Sequence, residues 1–287
     1  MTIEDAIRRA KILGQARLQR QEAKDVGHPQ TTERPAAVAR PAREPGLRFE
    51  PLKKVEISAT ACEQNRVLLS DTQVREFPAA DAAYRMLRSR LANRVKRNNW
   101  FSLAIASPSQ ADGKSITAAN LAVSVAREKQ KAVYLLDLDM RNPSICRFLG
   151  IRDIRPLPDY FSGRARPEDV LFETTFSNLF VAGAMAPTDS ASELLAGPRF
   201  SELLSHIRLR SPDAVVIVDL PPVNVTDEAL LVGSRVDAFL VVVTEGKTER
   251  VQLAQTLSAL SEFTVAGVVV NQSSESHTVG YEHYSAA

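Results

Sequence analysis

Short runs of Val, Ile, Leu and Ala recur between residues 101 and 271, separated by amphipathic stretches. The apolar runs fall at 103–106, 132–136, 179–182, 214–218, 238–243 and 265–270. They lack the apolar/polar alternation of a half-exposed strand, so each predicts a strand covered on both faces. The stretches 118–129, 190–206, 227–234 and 250–261 predict helices. Strand and helix in alternation predict an α/β fold, a mostly parallel sheet with helices on both faces. Such sheets bind ligands beyond the carboxyl ends of their strands, so the residues just after each run are where chemistry is expected.

Upstream the pattern changes. Tyr84, Leu87, Leu91 and Val95 form one apolar stripe of a helix predicted over 81–95. Arg85, Arg88, Arg90 and Arg94 crowd its other faces, as a solvated surface or as an interface between subunits. Ile3, Ile7, Ala10 and Leu13 form a second stripe, predicting an amphipathic helix over 1–20 that packs on its own domain or docks elsewhere. Between them, Pro29, Pro35, Pro41, Pro45 and Pro51 punctuate a stretch poor in large apolar residues. That composition predicts a flexible Pro/Ala/Arg-rich linker over 21–54. The expected organisation is therefore helix 1–20, linker 21–54, α/β domain 55–272 and a flexible tail 273–287 carrying Tyr281 and Tyr284.

Composition narrows the function classes. A net charge of +2 gives no bulk reason to bind nucleic acid. The cysteines, Cys62 and Cys146, lie far apart without metal-ligand spacing, and both are expected to be free thiols. No apolar run approaches the ~20 residues that span a bilayer, and the start of the chain lacks a signal-peptide pattern. The expected location is cytoplasmic, with any recruitment to the membrane through a partner.

The run at 103–106 leads into Ser107-Pro108-Ser109-Gln110-Ala111-Asp112-Gly113-Lys114-Ser115, and an Ala-rich helix leads out. Strand, tight loop and helix with Gly-Lys-Ser at the turn form a phosphate cradle, because backbone N–H groups and the helix N-terminus face the anion. Gln110, Ala111, Asp112, Gly113, Lys114, Ser115 and Ile116 are the expected nucleotide-binding residues. Lys114 would reach the outer phosphates and Ser115 would ligate Mg²⁺. Pro108 stands where the motif's first glycine belongs, a departure the carboxylates at the other strand ends make tolerable, whereas Ala111, within Gln110-Ala111-Asp112, lacks glycine's backbone freedom and predicts weakened nucleotide affinity. The second run ends in Asp137-Leu138-Asp139-Met140-Arg141. Either carboxylate could hold Mg²⁺ or take a proton from a hydroxyl, and a metal with Arg141 would relieve their mutual repulsion. The run 214–218 ends in Asp219-Leu220-Pro221-Pro222, an aliphatic strand closed by a carboxylate that suits a supporting Mg²⁺ role. The last run ends in Asn271, whose amide either meets an adenine edge or caps a turn.

In order and spacing these pieces resemble the bacterial tyrosine kinases, the BY-kinase family of capsule and exopolysaccharide loci. The resemblance rests on Tyr84-Arg85-Met86-Leu87-Arg88, Gly113-Lys114-Ser115, Asp137-Leu138-Asp139-Met140-Arg141, Ser192-Glu193-Leu194-Leu195, Asp219-Leu220-Pro221-Pro222 and Gly267-Val268-Val269-Val270-Asn271. It covers residues from about 55 to the end, and more weakly the first helix resembles kinases of exosortase-associated loci. It implies a P-loop NTPase fold using ATP and Mg²⁺, with Lys114, Asp137 and Asp139 catalytic and Ser115, Asp137 and Asp219 at the metal. It also implies phosphorylation of Tyr281 and Tyr284 in trans within a ring of subunits, and activation by a membrane-embedded polysaccharide co-polymerase. Two alternatives stay open: a MinD/ParA-type ATPase switch, whose signature lysine is replaced by Ser109, and a catalytically weak scaffold for the co-polymerase.

Overall fold

The computed structural model describes residues 49–273 apart from Ser177. All but the first two belong to a unit that begins at Pro51. The helix expected over 1–20, the linker up to residue 48, and the tail from 274 onward with Tyr281 and Tyr284 lie outside the described residues.

The strands are β1 (Lys53–Val55), β2 (Ser102–Ala106), β3 (Val133–Asp137), β4 (Phe172–Thr174), β5 (Leu179–Ala182), β6 (Val215–Asp219), β7 (Ala238–Thr244) and β8 (Val265–Asn271). The helices are α1 (Ala59–Gln64), α2 (Asp71–Glu76), α3 (Pro78–Asn98), α4 (Lys114–Ala126), α5 (Ile145–Leu149) and α6 (Leu157–Phe161). They continue with α7 (Pro167–Val170), α8 (Ala191–Ala196), α9 (Arg199–Arg210), α10 (Glu228–Gly233) and α11 (Arg250–Ala259). The strands form one sheet in the order β1-β4-β5-β3-β6-β2-β7-β8. From β5 to β8 all neighbours run parallel. β4 runs antiparallel to β5, and β1 pairs parallel to β4, so two strands at one edge run against the other six.

Every residue of β2, β3 and β7 is buried, as expected of aliphatic strands lacking alternation. Successive side chains point to opposite faces. Tyr134 and Leu136 join Phe200, Leu203 and Phe239 in one core layer. Leu135 enters the opposite layer with Leu103, Ile105, Leu121 and Leu240. Each large buried side chain contributes roughly 1.5–3 kcal/mol. The Tyr134 hydroxyl keeps a partner, Ser211 Oγ, at 3.0 Å.

α4 is apolar almost all round because it is covered on two sides. Ala118, Ala119, Ala122 and Ala126 are fully buried, small enough for close packing on the sheet. α3 lies over its outer face. Arg88 donates to the Ser124 carbonyl at 2.9 Å and pairs with Glu128, and Arg127 pairs with the buried Asp81 at 3.1 Å. Thus Arg88 holds α3 in place, Arg85 pairs with Asp81, and Arg94 donates to the Ala266 carbonyl. α3 outruns its expected span: Pro78 suits the first turn, where its missing N–H costs nothing, and Asn99 at φ 55° ends it.

Three features differ from the expected pattern. The helix expected over 190–206 is two helices, because Gly197-Pro198 breaks the ladder between α8 and α9. β1 begins at Lys53, inside the stretch whose composition reads as linker. β4 is also new, and at three residues apiece neither strand is long enough to show a period.

Candidate active site

The loop from β2 to α4 lies at the carboxyl end of the sheet, flanked by the ends of β6 and β7. Two of its residues have left-handed backbone, Ala111 at φ 62° and Gly113 at φ 88°. Only glycine fits at 113: a Cβ there would stand 1.9 Å from Asn271 Nδ2. Ala111 holds its conformation with a side chain present, at a cost of roughly 1–2 kcal/mol. Gln110 and Ala111 are exposed at the loop tip, and Ile116 is half-buried in the first turn of α4. Asp112 is only 1% exposed. Its carboxylate accepts from the Ser109 N–H at 2.8 Å and from Thr248 Oγ1 at 3.0 Å. Its side chain therefore faces the protein, which leaves only its backbone turned toward any ligand of the loop.

Lys114 opens α4 with its side chain 9% exposed. Its ammonium donates to Asp139 Oδ2 at 2.6 Å and to Ser115 Oγ at 3.2 Å, and lies 3.8 Å from Asp219 Oδ1. Burial alone would lower its pKa, but the carboxylates of Asp219 and Asp139 outweigh burial and hold it above the usual lysine value.

The three carboxylates expected from the strand ends meet here, and each is held differently. Asp137 closes β3 beside Asp219 of β6, fully buried. Its Oδ2 accepts the N–H groups of Ser144 and Ile145 at 2.9 and 3.0 Å, and its Oδ1 accepts the N–H of Asp139 at 3.2 Å. Burial and the Asp219 charge push its carboxyl up to about 7 despite those bonds. Asp139 turns toward the loop, with Oδ1 accepting from the Asn142 N–H at 3.1 Å. Both oxygens of Asp219 are buried without a hydrogen-bond partner. Burial pushes its carboxyl up to about 6, with the Lys114 charge pulling it partly back.

Three carboxylates thus face one ammonium in a buried site. That surplus of negative charge, with the orphaned oxygens of Asp219, fits a divalent cation. Among the described residues no three His, Cys, Asp or Glu side chains form a ready cage. Mg²⁺ suits such a site, because it keeps waters and takes phosphate oxygens with only one or two carboxylates.

The rim is fixed by residues of lower visibility. Arg141, two residues beyond Asp139, donates to the buried Glu228 Oε1 at 2.7 Å. Burial would raise the Glu228 carboxyl, but Thr226 and Arg141 outweigh it and hold it below its ordinary value. Ser192 donates to Asp227 at 2.8 Å, joining α8 to the start of α10. Asn271 Nδ2 donates to the Asp112 carbonyl at 3.1 Å, so the residue expected at a base is tied to the phosphate loop. Thr244 and Thr248 were not singled out in the sequence, although Thr244 closes β7 at the edge where ligands collect. Among the described residues no helix is long and apolar enough to cross a membrane.

Comparison with known proteins agrees with this geometry. "Tyrosine-protein kinase CpsD" of Streptococcus agalactiae is 28% identical over 216 residues, 74% of this chain and 90% of that protein. "Tyrosine-protein kinase wzc" of Salmonella typhimurium is 31% identical over 208 residues, 70% of this chain but 28% of that protein. The solved kinase domain of the Escherichia coli tyrosine kinase ETK superposes with a TM-score of 0.64 at 22% identity, over 80% of this chain and 94% of that domain. The likeness to bacterial tyrosine kinases and the α/β P-loop fold are both borne out. Residues 101–283, more than half of the chain, match the family described as ParA, NUBPL iron-transfer P-loop NTPase, and the chain belongs to that family of P-loop NTPases.

Proposed function

We propose that the chain is an ATP- and Mg²⁺-dependent protein-tyrosine autokinase that regulates exopolysaccharide or capsule assembly and phosphorylates Tyr281 and Tyr284 of a neighbouring copy. The observation that carries this reading is the Lys114–Asp139 contact of 2.6 Å beneath the phosphate loop. It joins the phosphate-binding cation to the best-placed base in one buried pair. A triphosphate competes for Lys114, and as the ammonium turns to the phosphates it releases Asp139. The freed carboxylate can then accept the proton of a tyrosine hydroxyl, whose pKa near ~10 makes it a poor nucleophile unaided. Asp137 acts one step back: its Oδ1 fixes the Asp139 N–H, and the two N–H groups at α5 fix Asp137 itself.

Ser115, Asp137 and Asp219 are the residues that would hold Mg²⁺. Held there, the ion would supply positive charge against the negative charge that develops on the phosphoryl group during transfer. The loop N–H groups and Lys114 orient the phosphates, and the burial of the carboxylates strengthens their hold on the cation.

The resemblance to cytoplasmic members of the kinase family supports action at the inner membrane face through a membrane-embedded co-polymerase, and assembly into a ring. Membership of the ParA family favours one other reading, a nucleotide-driven switch without tyrosine transfer. Mass spectrometry of the full chain after incubation with Mg-ATP separates the two. Phosphate on Tyr281 or Tyr284, absent from Lys114→Met, is the expected result. ATP turnover without phosphotyrosine supports the switch, and failure to bind nucleotide overturns both and leaves a scaffold.

A further inference from the structure

Asp112 presents a problem of charge. A carboxylate in the middle of a phosphate-binding loop opposes the anion that the loop is built to hold. The structure resolves this by turning the side chain inward. Oδ2 accepts from the Ser109 N–H within the loop, and Oδ1 accepts from Thr248 Oγ1 beyond the end of β7. The Thr248 oxygen is itself oriented, because it accepts the Thr244 N–H at 2.8 Å. The Asp112 carbonyl takes two further donors, Thr244 Oγ1 at 3.2 Å and Asn271 Nδ2 at 3.1 Å. The residue is thus gripped by its own loop, by the segment after β7 and by the end of β8. Its neighbours on either side, Ala111 and Gly113, are the two loop residues with left-handed backbone. No ion pair to Asp112 occurs among the described residues, so hydrogen bonds alone hold it.

We propose that Asp112 and Thr248 are positioning residues for nucleotide binding, their hydrogen bond fixing the phosphate loop in the shape that receives MgATP. The inference deepens the kinase reading and rests on its claim that the loop binds ATP. The hydrogen bond keeps the Asp112 charge turned away from the bound phosphates. It also supports the strained Ala111, which lacks the freedom of the glycine usual in such loops. The Ser109 N–H is spent on Asp112, so the donors left for phosphate lie further toward α4.

The test is calorimetric titration of the full chain with MgATP, alongside thermal unfolding of the unliganded protein. Thr248→Val removes the bridging hydroxyl and keeps the volume. It should weaken MgATP binding roughly tenfold, the scale of one hydrogen bond to a charged group. Thr248→Ser should restore wild-type affinity. Asp112→Ala should weaken binding at least as much, and Asp112→Ala/Thr248→Val should be no worse than Asp112→Ala, because both act through one contact. A merely structural role would lower the unfolding temperature of Thr248→Val and leave its affinity unchanged. Wild-type affinity in Thr248→Val, or failure of Thr248→Ser to restore it, overturns the inference while the kinase reading stands. Absence of MgATP binding by the wild-type chain overturns both.

Discussion

Asp219→Asn should make the unliganded protein more stable and at the same time inactive. Asp219 is fully buried, neither of its oxygens accepts a hydrogen bond, and its nearest cation, Lys114 at 3.8 Å, is already committed to Asp139. Its carboxyl is pushed from 3.8 to about 6. At roughly 1.4 kcal/mol per pH unit, the ionised side chain costs the folded state at most about 3 kcal/mol above pH 6. The asparagine amide must itself find acceptors in the site, which leaves a net gain of about 1–2 kcal/mol. For a domain of this size that is a rise of about 2–8 °C in Tm. The sign of the pH dependence is fixed. A carboxyl raised on folding destabilises nothing below its unfolded pKa near 3.8, and its penalty grows as pH rises through about 6. The variant's advantage should therefore be full at pH 7.5, smaller at pH 5 and gone near pH 4. Removing the charge also relieves Asp137, whose carboxyl Asp219 helps to raise. Thermal unfolding in EDTA at the three pH values measures the effect, and repeating it with MgATP should stabilise the wild type but not the variant. A loss of stability at pH 7.5, or a gain that does not vary with pH, would refute the idea that stored carboxylate repulsion awaits a cation.

Two further outcomes follow from the same geometry. Gly113→Ala should lower Tm and abolish MgATP binding, because a Cβ meets Asn271 Nδ2 at 1.9 Å and φ is 88°. Thermal unfolding should show Gly113→Ala/Asn271→Ala recovering the clash but not the cost of roughly 1–2 kcal/mol for left-handed backbone. MgATP affinity should rise as pH increases from 6 to 7.5, because Asp137 and Asp219, raised to about 7 and about 6, must shed protons to face the cation. Calorimetry in two buffers of different ionisation enthalpy should show protons released on binding, and no release would remove the raised carboxyls from the site.

The buried strands were legible because their aliphatic runs have one explanation, a sheet covered on both faces. The strand-end rule places Lys114, Asp137, Asp139 and Asp219 at one edge from the sequence pattern alone. What stayed hidden was orientation. Asp112 lies among loop residues whose N–H groups are expected to wrap phosphate, and nothing in its spacing says that its carboxylate turns the other way. That turn depends on a left-handed neighbour at Ala111 and on Thr248, a hydroxyl 136 positions away in sequence. β1 and β4 were hidden for a different reason, since three residues carry no period.

Charge explains why the same four residues can serve two states. Among the described residues Lys114 is the only ammonium held against Asp137, Asp139 and Asp219, and it lies closest to Asp139. Its departure toward phosphate would leave three carboxylates opposed by nothing, a cost that burial multiplies. Lysine transfer and cation arrival are therefore linked: neither ATP without Mg²⁺ nor Mg²⁺ without ATP satisfies both the phosphates and the acids. The site should accordingly bind the MgATP complex far better than either component. On the proposed mechanism, that link frees Asp139 to act as base only when the donor phosphate and its counter-charge are both in place.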